Sequence, residues 1–205
     1  MFPLEGALLL PRGRLPLNIF EPRYVAMVED SLGAGRVFGM IQPDPTAAAT
    51  EFGPGLYQIG CLGRLASFSE TDDGRFLITL VGVIRFSVQD ELGLCRGYRR
   101  VRGNVAGYGD DLRLDPRPIG VSREILLGAL RRYFGCRGLE ANWDAIRKIP
   151  DDMLVVTLSM ICPFEAPEKQ ALLEAPTEAE RASALLALLQ IGAASQDGQS
   201  SRNVS

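Results

Sequence analysis

The stretch RFLITLVGVIRFSV, residues 75–88, alternates. Its even positions, Phe76, Ile78, Leu80, Gly82, Ile84, Phe86 and Val88, form a period-2 row, which predicts a strand with one face on the core. The opposite face mixes Leu77, Val81 and Val83 with Arg75, Thr79, Arg85 and Ser87, so it is partly covered. Upstream, Tyr57–Ser69 reads as a second strand, and its Gly60 and Gly63 mark bulges or a sharp bend. Asp72, Asp73 and Gly74 join the two strands, and an Asp-Gly pair is a hairpin signal. Further strands are expected at Leu4–Leu10, Val37–Gln42 and Cys95–Val105. Long, bent, glycine-punctuated strands favour a small closed barrel, because closure removes exposed edges.

One helix interrupts these strands. Pro22 suits a first helical position, Tyr24, Val25, Val28 and Leu32 make an apolar stripe, and Gly33 is placed to end it. Beyond the polar stretch Gly109–Pro118 the period becomes helical. Leu126, Leu130 and Phe134 share a face closed by Gly135, and Leu139, Trp143 and Ile146 mark a shorter helix. Met153–Cys162 is apolar nearly all round and reads as a buried helix. Thr177-Glu178-Ala179-Glu180 is a capping box, followed by a stripe of Ala182, Leu185, Leu186 and Leu189. The fold class is therefore α+β: a β-barrel over residues 1–111, a helical part over 112–194, and a disordered tail over 195–205. No internal repeat is present.

Composition removes several classes of function. Apolar residues make up 46% of the 205, enough for a core, and the net charge of −3 argues against general attraction to nucleic acid or anionic membrane. No run approaches the length of a membrane span, and residues 1–10 lack the basic region of a signal peptide, so a cytoplasmic protein is expected. The sequence has no histidine, which excludes Ser-His-Asp and Cys-His catalysis and imidazole metal ligation. Cys61, Cys95, Cys136 and Cys162 are dispersed and read as buried reduced thiols, not as a zinc site or a disulfide framework. Lys148 and Lys169, the two lysines, lie outside any phosphate-binding loop, and no serine sits in a nucleophile-elbow context. No cofactor, metal or catalytic residue is expected.

Phe2-Pro3-Leu4 and the run from Pro16 to Tyr24, above all Phe20-Glu21-Pro22-Arg23-Tyr24, resemble the opening signature of the Lon substrate-binding domain family. Ile59-Gly60, Asp73-Gly74-Arg75, Val81–Phe86 and the stretch Glu168–Glu174 followed by Arg181 extend the resemblance to about Leu189. It implies a PUA-like barrel followed by a helical bundle. It also implies a free-standing, non-catalytic module that binds protein segments, without the ATPase and protease domains that follow in full-length Lon proteases. A link to protein quality control follows from the same kinship.

Three sets of residues are candidate sites. Tyr57, Phe68 and Tyr98 are aromatics at hairpin ends and strand faces, suited to unfolded or apolar-rich segments of a partner protein. Arg96, Arg100 and Arg102, interleaved with Tyr98 on one strand, are the alternative, an RNA-binding strip. Phe20, Glu21, Pro22, Arg23 and Tyr24 could form a ligand-contacting patch, but they read rather as a structural strand-to-helix junction in which Phe20 and Tyr24 fill the core and Arg23 is held among polar acceptors.

Overall fold

In a computed structural model the described residues are 1–115 and 119–200, the side chains of 195–200 excepted. Six strands form one sheet: β1 (Phe2–Pro3), β2 (Arg14–Ile19), β3 (Val37–Ile41), β4 (Ile59–Glu70), β5 (Phe76–Cys95) and β6 (Tyr98–Asn104). β5 is the spine. β4 runs antiparallel along one of its edges, while β2 and then β6 share the other, β2 opposite Phe76–Val81 and β6 opposite Ser87–Cys95. The pairing path is β1-β3-β4-β5-β2, with β6 branching from β5. The expected closure is therefore not reached: β1 and β2 are the ends of the path and do not pair with each other.

The period-2 reading of β5 holds where packing decides it. Phe76, Ile78, Leu80, Ile84 and Phe86 are all buried. Gly82 stands in that row because backbone crosses it there. A Cβ at Gly82 would lie 1.9 Å from the Leu10 carbonyl oxygen, and the Gly82 carbonyl accepts from the Arg12 amide at 2.8 Å. That crossing corrects the expected strand at Leu4–Leu10. The segment is irregular, with Gly6 at φ +71°, and buries Leu8, Leu9 and Leu10 as a plug beneath the sheet. An apolar run signals burial without specifying strand geometry.

The helices are α1 (Pro22–Gly33), α2 (Arg123–Cys136), α3 (Trp143–Arg147), α4 (Asp151–Ile161), α5 (Ala166–Glu174) and α6 (Glu178–Ser200), with a 3₁₀ turn at Gly109–Leu112. The capping box at α6 forms as its sequence requires: Thr177 N donates to the Glu180 carboxylate at 3.0 Å and Glu180 N to the Thr177 hydroxyl at 3.2 Å. α6 includes residues 195–200, which the sequence assigned to a tail, and 201–205 lie outside the described residues. α2 continues one residue past Gly135, and Leu139 is exposed outside α3.

One contiguous apolar core joins the two halves of the chain. It holds Leu9, Ile19, Val28 and Leu80 from the first, with Leu126, Tyr133, Leu158 and Leu185 from the second. The seam carries buried polar side chains with partners. Gln42 Nε2 donates to Gln170 Oε1 at 3.1 Å, Gln170 Nε2 donates to the Ile59 carbonyl at 3.0 Å, and Lys169 Nζ donates to the Gly6 carbonyl at 2.5 Å. Arg181 Nε donates to the Leu172 carbonyl at 2.8 Å. The Glu168–Glu174 stretch thus docks α5 onto the first half of the chain, and Arg181 ties α6 to α5.

Candidate functional site

The two unpaired ends of the sheet face each other across a groove of about 230 Å³. Phe2, Pro3 and Leu4 line one side; Leu17, Ile19, Phe20, Arg23 and Tyr24 line the other. Alternation along β2 builds the second wall. Ile19 is buried, so the next residue points the opposite way, and Phe20 is 63% exposed at the rim. This corrects the assignment of Phe20 to the core. Tyr24 does fill the core, with its ring 4.3 Å from that of Phe2, and Pro22 starts α1 as expected. The Arg23 guanidinium donates from Nε and Nη2 to Glu21 at 3.0 and 2.7 Å. Both side chains are about half exposed, so Arg23 is not held among buried acceptors as its sequence context suggested.

Leu17 and Asn18 also line a second groove, of about 530 Å³, across β2, β4 and β5, so β2 borders both. Here Phe68 and Leu77 are exposed, and Phe68 rests edge-on against buried Phe76 at 4.9 Å. Asn18, Ser67, Ser69 and Thr79 supply polar groups, and none of the lining residues is ionisable. The lining supplies no general acid or base to activate the hydroxyls of Ser67, Ser69 and Thr79. It can accept apolar side chains and offer hydroxyl and amide hydrogen bonds to a peptide backbone.

Of Tyr57, Phe68 and Tyr98, Phe68 alone belongs to this surface. Tyr57 is half-buried in the loop before β4, its amide bonded to the Gln42 carbonyl at 3.1 Å, near Asp44 and Glu174. Tyr98 packs against the core and donates to Asp30 at 2.8 Å; burial, then its contacts with Cys95 and Asp30, raises its phenol above the usual range. The structure does not bring the three together. Leu77 is the member that sequence reasoning missed, and Phe20 was named but read as core. The parity of β2, with Leu15, Leu17 and Ile19 on one face, is the signal that points Phe20 outward.

The arginine strip is largely committed to acids. Arg96 is in the β5–β6 turn at φ +47°, not on the strand, and pairs with Glu29 at 2.6 Å and Asp30 at 2.7 Å. Arg102 pairs with Asp90 at 3.1 Å, and Arg100 donates to the Gly93 carbonyl at 3.0 Å. Guanidiniums so engaged leave little charge for phosphates. Among the described residues, no group of three or more His, Cys, Asp or Glu is placed to hold a metal ion, and no helix is long and apolar enough to cross a membrane.

Comparison with known proteins agrees with this architecture. The structure is similar to the Lon N-terminal domain protein from Xanthomonas campestris, with a TM-score of 0.55 and 23% identity over 91% of this chain and 95% of that one. It is equally similar to the N-terminal domain of the Mycobacterium avium complex Lon protease, at 0.55 and 13% identity over 92% and 95%. In sequence, the chain is 26% identical over 201 residues to Lon protease 1 of Bdellovibrio bacteriovorus, covering 93% of this chain and 24% of that protein. It is 32% identical over 104 residues to Lon protease 2 of Sorangium cellulosum, covering 50% and 13%. The chain thus spans less than a quarter of the length of these relatives. Residues 1–190 match the model of the ATP-dependent protease La (Lon) substrate-binding domain, and the chain belongs to that family.

Proposed function

We propose that this chain is a non-catalytic recognition module that takes up apolar, unfolded polypeptide segments on the surface around Phe20, Phe68 and Leu77, in the service of cytoplasmic protein quality control. The observation that carries the reading is the exposure of these three side chains, Phe20 beside the groove between β1 and β2, Phe68 and Leu77 beside the groove across β2, β4 and β5, whose lining has no ionisable group. Apolar contacts of that kind read exposed hydrophobicity and not a single motif. We read the curled sheet as an opened PUA-like barrel over 1–111 and helices α2–α6 over 112–194 as a bundle docked against it. The match to a substrate-binding domain supports the same function.

The test is fluorescence anisotropy with a labelled, permanently unfolded casein fragment. Binding should be weak, on the order of micromolar, and change little between low and moderate salt. Phe20→Ser and Phe68→Ala should each weaken it, and Arg100→Ala should not. Steep loss of binding with salt, or competition by single-stranded RNA, would reassign the working surface to the arginine strip.

A further inference from the structure

A third groove, of about 680 Å³, lies where the sheet meets the helical part. It crosses the sheet from the start of β3, over β4 and β5, towards α4. Arg36 immediately precedes β3, and Arg64 of β4 is paired with Val37, so two guanidiniums stand at one end. Leu65, Ala66, Val81 and Val83 follow along the floor, and Leu112 and Leu114, 57% and 78% exposed, overhang it. At the far end Arg12 is engaged by Asp152, with Glu178 at 3.9 Å. Asp111 also reaches the groove, but both its oxygens are taken by Arg85. Arg36 and Arg64 are exposed and have no carboxylate partner among the described residues. The groove is therefore cationic at one end and apolar along its length.

We propose that this groove holds the last few residues of a bound polypeptide, its free C-terminal carboxylate on Arg36 and Arg64; this rests on the polypeptide-binding reading above. Guanidiniums on one groove wall match a carboxylate with charge-assisted hydrogen bonds. Two further features point the same way. Arg36 is held at φ +59°, a conformation that non-glycine residues rarely adopt, by bonds of 2.8 Å from its amide to the Ser31 carbonyl and from the Leu65 amide to its own carbonyl. The β4–β5 register passes from Leu65 opposite Leu80 to Ser67 opposite Thr79, leaving Ala66 outside the ladder in the groove wall, where its backbone can pair with an incoming chain. With strands about 4.8 Å apart, the distance from β3 to β5 is roughly 10 Å, the span of about three extended residues. A ligand charged at one end and apolar behind it is a chain terminus. An internal acidic residue would have to carry its chain onward past the arginines.

The test uses the full chain and a fluorescein-labelled, uncharged octapeptide ending in four apolar residues, as free acid and as C-terminal amide. The acid should bind at least tenfold more tightly. Arg64→Gln combined with Arg36→Asn should lower its affinity to that of the amide while leaving the amide unchanged; asparagine tolerates the left-handed backbone at position 36, and an unaltered melting temperature confirms folding. Equal binding of acid and amide overturns the proposal and leaves the recognition module standing, whereas absence of binding by both forms defeats the two together. An amide carrying a single internal glutamate that binds as tightly as the acid also overturns it, as does decanoate binding without any difference between the peptides.

Discussion

Arg85 and Asp111 form a buried bidentate ion pair that fastens the middle of β5 to the turn where the chain leaves the sheet. Nε and Nη2 of Arg85 donate to the two carboxylate oxygens at 2.9 and 2.8 Å, and the Arg85 amide adds a third bond to Asp111 at 2.9 Å. The remaining donors reach the carbonyls of Leu173, Ala175 and Pro176, at 3.2, 2.7 and 3.2 Å, in the link between α5 and α6. A single side chain thus joins sheet, turn and helices at the position where the period of the sequence changes.

Asp111→Asn leaves a buried guanidinium without its counter-charge, so it should cost about 3–5 kcal/mol. Denaturant titration measures the loss. Because the clamp and the core span both halves, unfolding followed by Trp143 fluorescence in α3 should coincide with unfolding followed by circular dichroism. Separate midpoints in the wild-type protein would show that residues 1–111 and 112–194 unfold as independent units.

Gly60→Ala should destabilise by about 1–3 kcal/mol. A Cβ there would lie 2.6 Å from both the Met40 carbonyl oxygen and the Phe86 ring. A Cβ at Gly39 or Gly103 would also meet that ring, at 3.0 and 3.1 Å, so Phe86 sits in a slot left open by glycines on three strands. A melting temperature within one degree of wild type would show that the slot yields.

How much of this was legible depends on whether local pattern or tertiary contact decided it. The face of β5, the stripe of α2 and the cap of α6 follow from periodicity and capping chemistry, and they stand as read. Gly63 marks a register shift as expected, whereas Gly60 serves the Phe86 slot. Leu8–Leu10 were legible as buried but not as irregular, because the crossing over Gly82 is a long-range contact. The candidate groove was mostly hidden, since it is assembled from β1, β2, β4 and β5. Phe68 could be found as an aromatic near a hairpin end. Tyr98 could not be dismissed, because its acidic partner Asp30 lies on α1.

The cysteines should divide into two classes. Burial pushes the thiols of Cys61 and Cys162 up to about 12, so at neutral pH they remain protonated and inert. Cys95 and Cys136 are partly exposed. A disulfide-exchange reagent at pH 7.5 should therefore label Cys95 and Cys136 in the native protein and reach Cys61 and Cys162 only after unfolding. Prompt reaction of four thiols without denaturant would contradict this burial.

Arg23→Ala should leave stability nearly unchanged, by about 0–1 kcal/mol, because its pair with Glu21 is half exposed on both sides and screened by water. The guanidinium also lies 4.6 Å from the centre of the Tyr24 ring, a contact that slightly raises the expected cost. Thermal unfolding measures it. A drop of several kcal/mol would return Arg23 to the structural role that its place between two aromatics suggested.

Pro16 governs the exposed edge of the sheet. β2 pairs with β5 on one side and ends the pairing path on the other, so a strand from a second molecule could dock there. Proline has no amide hydrogen to give to a ladder and is tolerated in a sheet with its nitrogen turned towards the open edge. At Pro16, in the middle of β2, it removes the donor that continuous strand addition needs while leaving the pairing with Thr79 of β5 in place. Under the proposed function, recognition beside this edge would then depend on Leu17, Phe20 and Phe68, and pairing of the edge with a second copy would be disfavoured. Pro16→Val restores the donor and adds a side chain that favours strands. The variant should retain its fold and self-associate more readily, seen as a concentration-dependent rise in sedimentation coefficient that the wild-type protein does not show over the same range. If the two proteins sediment alike at every concentration, Pro16 is not what protects the β2 edge.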